Sequence, residues 1–182
     1  MRGRAGTADG GEPVASRAAT IVRAALAIAF AIAGSAAFAA GIGDPAPAFA
    51  LRDARGDTLS LERLRGQVVY VDFWASWCGP CRRSFPWMNE MHSRYGGRGL
   101  AIVAINVDSN PADAARFLER NPAQFAVAYD QAGATPLAYA VRAMPSSYLI
   151  DSHGTVVEVE LGFRDERKGA LEQRIQALLA AR

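Results

Sequence analysis

The stretch that most constrains the fold runs from Val68 to Pro86, with the tetrapeptide Cys78-Gly79-Pro80-Cys81 at its centre. Its two cysteines are the only ones in the 182-residue chain. The apolar, valine-rich run Val68–Trp74 predicts a buried β-strand, because it is too short and too β-branched for a helix. Pro80 suits the first turn of a helix, where its missing N–H costs no hydrogen bond. We therefore expect Cys78 to lie exposed between the end of a strand and the start of a helix.

This position favours a reactive thiol at Cys78. Unpaired N–H groups and the positive end of the helix dipole stabilise a thiolate at a helix start, and thiols placed this way have a pKa near ~7 instead of ~8.5. Cys81 is expected to be more buried and to act as the resolving thiol, which attacks a mixed disulfide at Cys78. A ring this small gains little from loop-closure entropy. The pair therefore predicts a disulfide that opens and closes during function.

Asp72 lies inside the predicted apolar strand, six residues before Cys78. Burial of a carboxylate is costly and raises its pKa towards neutrality, where the group can exchange protons. We interpret Asp72 as the group that takes the proton of Cys81, through a water, when the mixed disulfide resolves. The alternative is an aspartate at the strand end that faces solvent.

With these residues identified, the segment Asp72–Cys81 (DFWASWCGPC) resembles the active site of the thioredoxin superfamily. Pro86 matches the helix-kinking proline of that family, and Met144–Asp151 (MPSSYLID) resembles the segment that carries its cis-proline. The resemblance covers about Ile42–Leu179 and is closest to the TlpA-like (ResA-like) thiol–disulfide oxidoreductases. It implies an α/β, thioredoxin-like fold: a central mixed sheet flanked by helices, with an N-terminal β-hairpin and a central βα insertion.

The residues themselves predict these elements. Phe49–Ser60, which contains a glycine turn, indicates a β-hairpin ahead of the cysteine strand. The segment Asn106–Val141 contains a helix start, a short strand and a short helix, and it resembles the TlpA-like insertion. Alternation over Thr155–Glu160 predicts a half-exposed edge strand, and helical spacing of apolar residues over Asp165–Ala181 predicts a closing amphipathic helix.

The resemblance also implies a docking site for a polypeptide substrate beside the cysteines. Pro145 is expected to be cis and to face the disulfide, and the backbone of Met144 is expected to pair with a substrate strand. The residues expected to form this site are Trp77, Gly79, Pro80, Met144 and Pro145. For Trp77 the alternative is simple packing in the core.

One departure from the thioredoxin pattern concerns the surroundings of Asp72. Alignment places Ala104 where thioredoxin has a lysine beside its buried acid, which predicts that Asp72 lacks a cationic partner. Many TlpA-like reductases carry asparagine at the position of Asp72 and glutamate between the cysteines, where this chain has aspartate and glycine.

The first 39 residues predict an export signal. Four arginines lie before an uncharged, alanine-rich run over residues 24–40, and Ala37-Phe38-Ala39 matches a signal-peptidase site. We therefore expect a signal peptide at 1–39 and a thioredoxin-like domain at 40–182, located in the periplasm. The alternative is that residues 24–40 stay as a membrane anchor, although about 17 apolar residues is the lower limit for a span.

The charge balance and the histidines exclude other classes of function. Four of the 20 basic and two of the 18 acidic residues precede Ala40, which leaves a neutral domain without the basic patch that nucleic-acid binding needs. His92 and His153 lack ligand spacing relative to the cysteines, so we predict no metal and no cofactor. Peroxide reduction is disfavoured because Ala75 stands where a peroxiredoxin needs threonine.

These observations together predict an exported thiol–disulfide oxidoreductase. The Gly79-Pro80 pair resembles that of strongly reducing family members, so we expect it to reduce disulfides of partner proteins with electrons from a membrane thiol transporter. The resemblance suggests the cysteines of apocytochrome c or of copper sites as targets. The alternatives are an oxidase-type role, or a non-enzymatic thiol chaperone or metallochaperone built on the same scaffold.

Overall fold

The computed structural model describes residues 40–182 together with the isolated Gly3 and Gly6. Within residues 40–182 the chain forms a seven-stranded mixed β-sheet. Its strands are β1 (Ala50–Asp53), β2 (Thr58–Ser60), β3 (Val68–Trp74), β4 (Leu100–Asn106), β5 (Ala126–Tyr129), β6 (Ser146–Ile150) and β7 (Val156–Leu161). They are ordered β2-β1-β5-β4-β3-β6-β7 in the sheet. β3, the buried strand predicted before the cysteines, thus lies in the interior of the sheet, between β4 and β6.

The direction of the strands confirms the predicted mixed architecture. β3, β4 and β5 are parallel, whereas β6 and β7 follow as antiparallel strands on the other side of β3. β1 and β2 form the predicted N-terminal hairpin, and β1 pairs antiparallel with β5 of the insertion. β7 is at the sheet edge, as its alternating sequence predicts.

Four α-helices in the described residues complete the fold: α1 (Cys81–Tyr95), α2 (Pro111–Arg120), α3 (Ala134–Ala138) and α4 (Lys168–Ala180). Short 3₁₀ turns lie at Glu62–Leu64, Gly96–Arg98 and Asp165–Arg167, so the closing helix begins as a 3₁₀ turn. α2, β5 and α3 together form the predicted βα insertion.

The start of α1 differs slightly from the sequence expectation. Pro80 precedes the helix as its N-cap with helical backbone angles, φ −60° and ψ −29°, instead of lying within the first turn. Its carbonyl accepts hydrogen bonds from the backbone N–H groups of Arg83 and Ser84. The regular helix therefore begins at Cys81, and Pro86 lies inside it.

Apolar side chains cover both faces of the sheet. On β3, Tyr70 and Trp74 belong to the cluster that includes the α1 residues, while Val71 and Phe73 belong to the cluster on the opposite face. Because successive side chains of a strand point to opposite faces, Asp72 lies on the same face as Tyr70 and Trp74. It therefore faces the helix that begins at the second cysteine.

The N-terminal predictions concern residues outside this description. The proposed signal peptide and its cleavage site lie before residue 40, and the proposed anchor shares only Ala40 with the described part. Among the helices of the described residues, none has both the length and the apolar character that crossing a membrane requires.

Candidate active site

The cysteines and the predicted cis-proline lie at the same end of the sheet. β3 ends at Trp74 and leads directly to Cys78, whereas β6 begins at Ser146, which pairs with Phe73 at that end of β3. Pro145 immediately precedes Ser146, so it lies where the cysteine loop leaves the sheet. This is the end of an α/β sheet at which ligands and reaction sites are usually found.

Cys78 and Cys81 form a disulfide across the start of α1, with a Cα–Cα distance of 5.4 Å. The backbone N–H of Cys81 donates a hydrogen bond to the sulfur of Cys78 over 3.2 Å. This is the amide at the helix start, where the N–H lacks an intrahelical acceptor and the dipole is positive. The arrangement stabilises negative charge on the sulfur of Cys78.

The expectation that Cys78 is exposed was wrong. In this oxidised state Cys78 is only 3% exposed and Cys81 is wholly buried. Their disulfide draws both sulfurs into the cluster that contains Trp74 and Phe85. The exposed groups of the loop are Trp77 and Gly79, so a partner that attacks Cys78 has to approach along them.

The expected docking residues fall into an exposed and a covered group. Trp77 is 69% exposed, which excludes the alternative that it packs in the core. Met144 is half-buried and contacts both core clusters. The peptide bond between Met144 and Pro145 is cis, and Pro145 is buried.

Leu161 is a further apolar residue at this end of the sheet, and the sequence analysis missed it. Leu161 is 59% exposed and pairs with Ser146 at the end of β7. The next N–H along the chain, that of Gly162, donates to the carbonyl of Pro145 over 2.8 Å. The available signal was an apolar residue at the end of an edge strand, but its position beside Pro145 depends on the β6–β7 register.

Asp72 is buried beneath the site, on the face of β3 that α1 covers. It is 1% exposed, and its Oδ2 atom has no hydrogen-bond partner among the described residues. Burial alone raises the pKa of Asp72 well above its ordinary value. Across the sheet it lies between Ala104 of β4 and Ser147 of β6. Ala104, which stands where thioredoxin has a lysine, is therefore the direct β4 neighbour of Asp72. The burial of Asp72 excludes the alternative that it faces solvent.

A polar row continues from Asp72 towards the sheet edge, and the sequence analysis did not find it. Ser147 pairs with Glu160 of β7, so Asp72, Ser147 and Glu160 follow one another across three strands. The hydroxyl of Tyr70 donates to Ser147 Oγ over 2.7 Å in the buried interior. Burial, followed by the charge of Asp72, raises the pKa of Tyr70 well above its ordinary value, which keeps the phenol a donor.

Asp108 holds the loop between β3 and α1. Its carboxylate accepts from the backbone N–H of Ser76 at 2.9 Å and from the side-chain amide of Asn106 at 2.8 Å. Asp108 is 5% exposed. The loop that carries Trp77 and Cys78 is therefore tied to the end of β4, a contact that the sequence analysis also missed.

The two histidines lie apart from this site. His92 is on α1 near its C-terminal end, and His153 is in the turn between β6 and β7. Within residues 40–182, histidine, cysteine, aspartate and glutamate side chains do not assemble in groups of three or more that suit a metal ion.

Comparison with known proteins agrees with this geometry. Residues 42–175 match the family described as Redoxin. The thiol-disulfide oxidoreductase ResA of Bacillus cereus is 34% identical over 137 residues, which cover 75% of this chain and 78% of that protein. ResA of Geobacillus kaustophilus is 36% identical over 124 residues, covering 68% and 71%. A solved structure of a candidate thiol:disulfide interchange protein DsbE from Chlorobium tepidum is 51% identical with a TM-score of 0.74, covering 77% of this chain and 99% of that one.

Proposed function

Because the chain belongs to the redoxin family and is a TlpA-like (ResA-like) thiol–disulfide oxidoreductase of the thioredoxin superfamily, we propose that it works outside the cytoplasmic membrane as a reductase of protein disulfides. The observation that carries this proposal is the hydrogen bond from the Cys81 N–H to the sulfur of Cys78. It gives one sulfur of the pair a stabilised thiolate, which thiol–disulfide exchange requires.

The reaction proceeds by two exchanges. The thiolate of Cys78 attacks one sulfur of the partner disulfide, the partner S–S bond breaks, and the other partner sulfur leaves as a thiolate that takes a proton from water. Cys81 then attacks the sulfur of Cys78, the bond between Cys78 and the partner breaks, and the partner's second sulfur leaves as a thiolate that takes a proton from water. Asp72 accepts the proton of Cys81 in this second step. The partner gains two electrons and the pair becomes the Cys78–Cys81 disulfide.

The partner binds at the sheet end described above. Trp77 offers an exposed apolar surface there, and Gly79 and Pro80 lie between the two cysteines. Met144 and Pro145 border the loop from the β6 side, and the backbone of Met144 pairs with an extended segment of the partner. The substrate is therefore a polypeptide that presents its disulfide on an extended, accessible strand.

The direction of electron flow rests on the residues between the cysteines. Gly79-Pro80 resembles the pair of strongly reducing members, and thioredoxin has a potential of about −270 mV. The oxidised pair is returned to the dithiol by a membrane thiol transporter. By resemblance, the partners are the cysteines of apocytochrome c or of copper sites.

Export is supported by the N-terminal sequence, in which arginines precede an alanine-rich run and an Ala37-Phe38-Ala39 cleavage motif. The domain then acts in the periplasm, free after cleavage or held at the inner membrane by residues 24–40. Western analysis of fractionated cells expressing the full chain measures both: a shorter product in the periplasmic fraction indicates cleavage, and a full-length product in the membrane fraction indicates an anchor.

A redox titration of the mature domain in glutathione or dithiothreitol buffers, combined with an insulin-reduction assay, tests the function. We expect a potential near about −270 mV and insulin reduction that the Cys78→Ser variant lacks. A potential near about −120 mV assigns an oxidant instead. Stoichiometric Cu(I) binding by the reduced domain, without insulin reduction, assigns a metallochaperone and overturns the proposal.

A further inference from the structure

A reductase that uses Asp72 as a proton acceptor has to return that proton to solvent in every cycle. Asp72 is 1% exposed and its Oδ2 atom has no hydrogen-bond partner among the described residues. Its β4 neighbour is Ala104, which has no group that carries a proton. The polar neighbour across the sheet is Ser147 of β6. A route to solvent through side chains therefore leads towards β6.

Ser147 is held in the geometry of a relay. Its Oγ atom accepts a hydrogen bond from the hydroxyl of Tyr70 over 2.7 Å. The hydroxyl proton of Ser147 is therefore free to point to another acceptor. Residues directly opposite each other on antiparallel strands have Cβ atoms about 4.5–5.5 Å apart. Asp72 on one side and Glu160 on the other are both in this relation to Ser147. A rotation of the hydroxyl or one intervening water is enough to connect them.

The outer end of the row opens into a small cavity between β7 and the start of α4. Tyr70, Ser147 and Glu160 line it, together with Arg167 from the turn before α4, and it has room for about one water molecule. Glu160 is 8% exposed, and Arg167 Nε donates to its carboxylate over 2.8 Å. The cavity thus begins at the buried hydroxyl pair and ends at a carboxylate near the surface.

We propose that Ser147, oriented by Tyr70, passes the proton of Asp72 to Glu160 through this cavity and from there to solvent. This inference rests on the proposed function, in which Asp72 takes the proton of Cys81. Asp72 gives its proton to Ser147 Oγ while Ser147 releases its own proton to the cavity water or to Glu160. The proton then leaves to bulk water, Asp72 is again a carboxylate, and electrons move only between the sulfurs.

Several charged or titratable groups face this route. From β3 they are Tyr70 and Asp72. From β7 and the segment leading into α4 they are Glu158, Glu160, Arg164, Arg167 and Lys168. Tyr70 and Ser147 are positioning residues here, because they act on the reacting sulfurs only through Asp72.

Resolution of a mixed disulfide by Cys81 isolates the relevant step. The reduced domain is held in acid, so that Asp72 carries a proton, and is then mixed rapidly into neutral buffer that contains 5,5′-dithiobis(2-nitrobenzoate). The first thionitrobenzoate released reports attack by Cys78, and the second reports attack by Cys81, for which Asp72 first has to lose its proton along the route. We expect Ser147→Ala and Glu160→Gln to slow the second release by about 10-fold at neutral pH and to leave the first unchanged. Ser147→Thr restores the hydroxyl and is expected to keep most of the rate.

Two comparisons separate this role from a structural one. Tyr70→Phe is matched with Tyr148→Phe, because Tyr148 also has a buried hydroxyl, bonded to the Tyr139 carbonyl on the opposite face of the sheet; only Tyr70→Phe is expected to slow resolution. In an Asp72→Asn background, Ser147→Ala should add no further slowing, because both act in one route.

The outcomes separate the inference from its premise. If Asp72→Asn slows resolution but Ser147→Ala does not, Asp72 accepts the proton and the Ser147 route is wrong. The same conclusion follows if Ser147→Ala slows resolution as much in the Asp72→Asn background as in the unsubstituted domain. Full-speed resolution in Asp72→Asn overturns both the role of Asp72 and the route. The reductase assignment itself is tested separately, by the redox titration of the unsubstituted domain.

Discussion

The backbone N–H of Cys81 donates a hydrogen bond to the sulfur of Cys78 over 3.2 Å. The sulfur of Cys81 receives no comparable hydrogen bond within residues 40–182. Since hydrogen bonds from amides at a helix start stabilise a thiolate, the reduced pair is chemically unequal. The first cysteine is the nucleophile, and the second is the buried thiol that needs a base.

Alkylation of the reduced domain is expected to reveal this inequality. Iodoacetamide should modify Cys78 first, with a rate that reaches its plateau at lower pH than that of a free cysteine, because the thiolate is already formed. Peptide mapping by mass spectrometry at several pH values measures both sites, and the guanidinium-unfolded protein gives the reference. Equal rates with free-cysteine pH profiles at both sites would remove the basis of the enzyme assignment.

Asp108→Ala is expected to change both stability and the reaction. The carboxylate holds Ser76 and Asn106, so its removal leaves buried donors unpaired and costs about 1–3 kcal/mol of unfolding free energy. Because Ser76 is next to Trp77, the cysteine loop also loosens, and we expect insulin reduction to fall by about 10-fold. Denaturant unfolding and the insulin assay measure the two effects.

Asp130→Ala is the matched control. Asp130 is also buried, at 4% exposure, and its carboxylate accepts from the backbone N–H groups of Gly133 and Thr135 after β5. It should lose similar stability while the properly folded protein keeps its rate. If the two variants lose activity in equal proportion to their stability, Asp108 has only a structural role.

The sequence predicts those parts of the molecule that local patterns determine. β3 was predicted because a short β-branched apolar run has few other structures available. A helix start close to Pro80 was predicted because a proline at that place loses no hydrogen bond. The resemblance to the thioredoxin pattern placed Ala104 beside Asp72, and the parallel pairing of β3 with β4 confirms that placement.

The overestimated exposure of Cys78 and the residues missed at the site involve contacts distant in sequence. Tyr70 and Ser147 are 77 residues apart, and Ser76 and Asp108 are 32 residues apart. Their meeting depends on strand register, which no local window contains. The exposure of Cys78 was overestimated for the same reason, because side chains from other elements decide how well a helix start is covered.

Trp77→Ala is expected to lower kcat/KM for a protein disulfide by about 10-fold, because an exposed aromatic at the centre of a contact contributes over 1 kcal/mol to binding. The redox potential and the reaction with small disulfides should change little. The matched control is Ile42→Ala, since Ile42 is also 69% exposed but lies next to Gly43, which bonds to Val156 at the opposite end of β7. A similar loss in both variants would argue against docking at Trp77.

Asp72 is expected to make the stability of the oxidised domain fall as pH rises. Burial raises its pKa in the folded state well above the ordinary value of 3.8, near which it titrates in the unfolded chain. Between these two values the folded state binds more protons than the unfolded state, so the free energy of unfolding decreases with pH. The stabilisation is complete below 3.8 and is lost once the pH has passed the folded pKa.

Asp72→Asn removes this titration and tests the sign directly. The amide stays neutral at every pH, so the variant should be more stable than the unsubstituted domain in alkaline buffer, on the order of 1–3 kcal/mol, and the difference should shrink towards zero in acid. Urea unfolding of both oxidised proteins over a range of pH measures it, and the intact disulfide keeps the transition comparable. If the variant is equally or less stable than the unsubstituted domain at all pH values, the fold contains a partner that compensates the charge of the Asp72 carboxylate. Such a partner would make the domain more stable as the pH rises and Asp72 ionises.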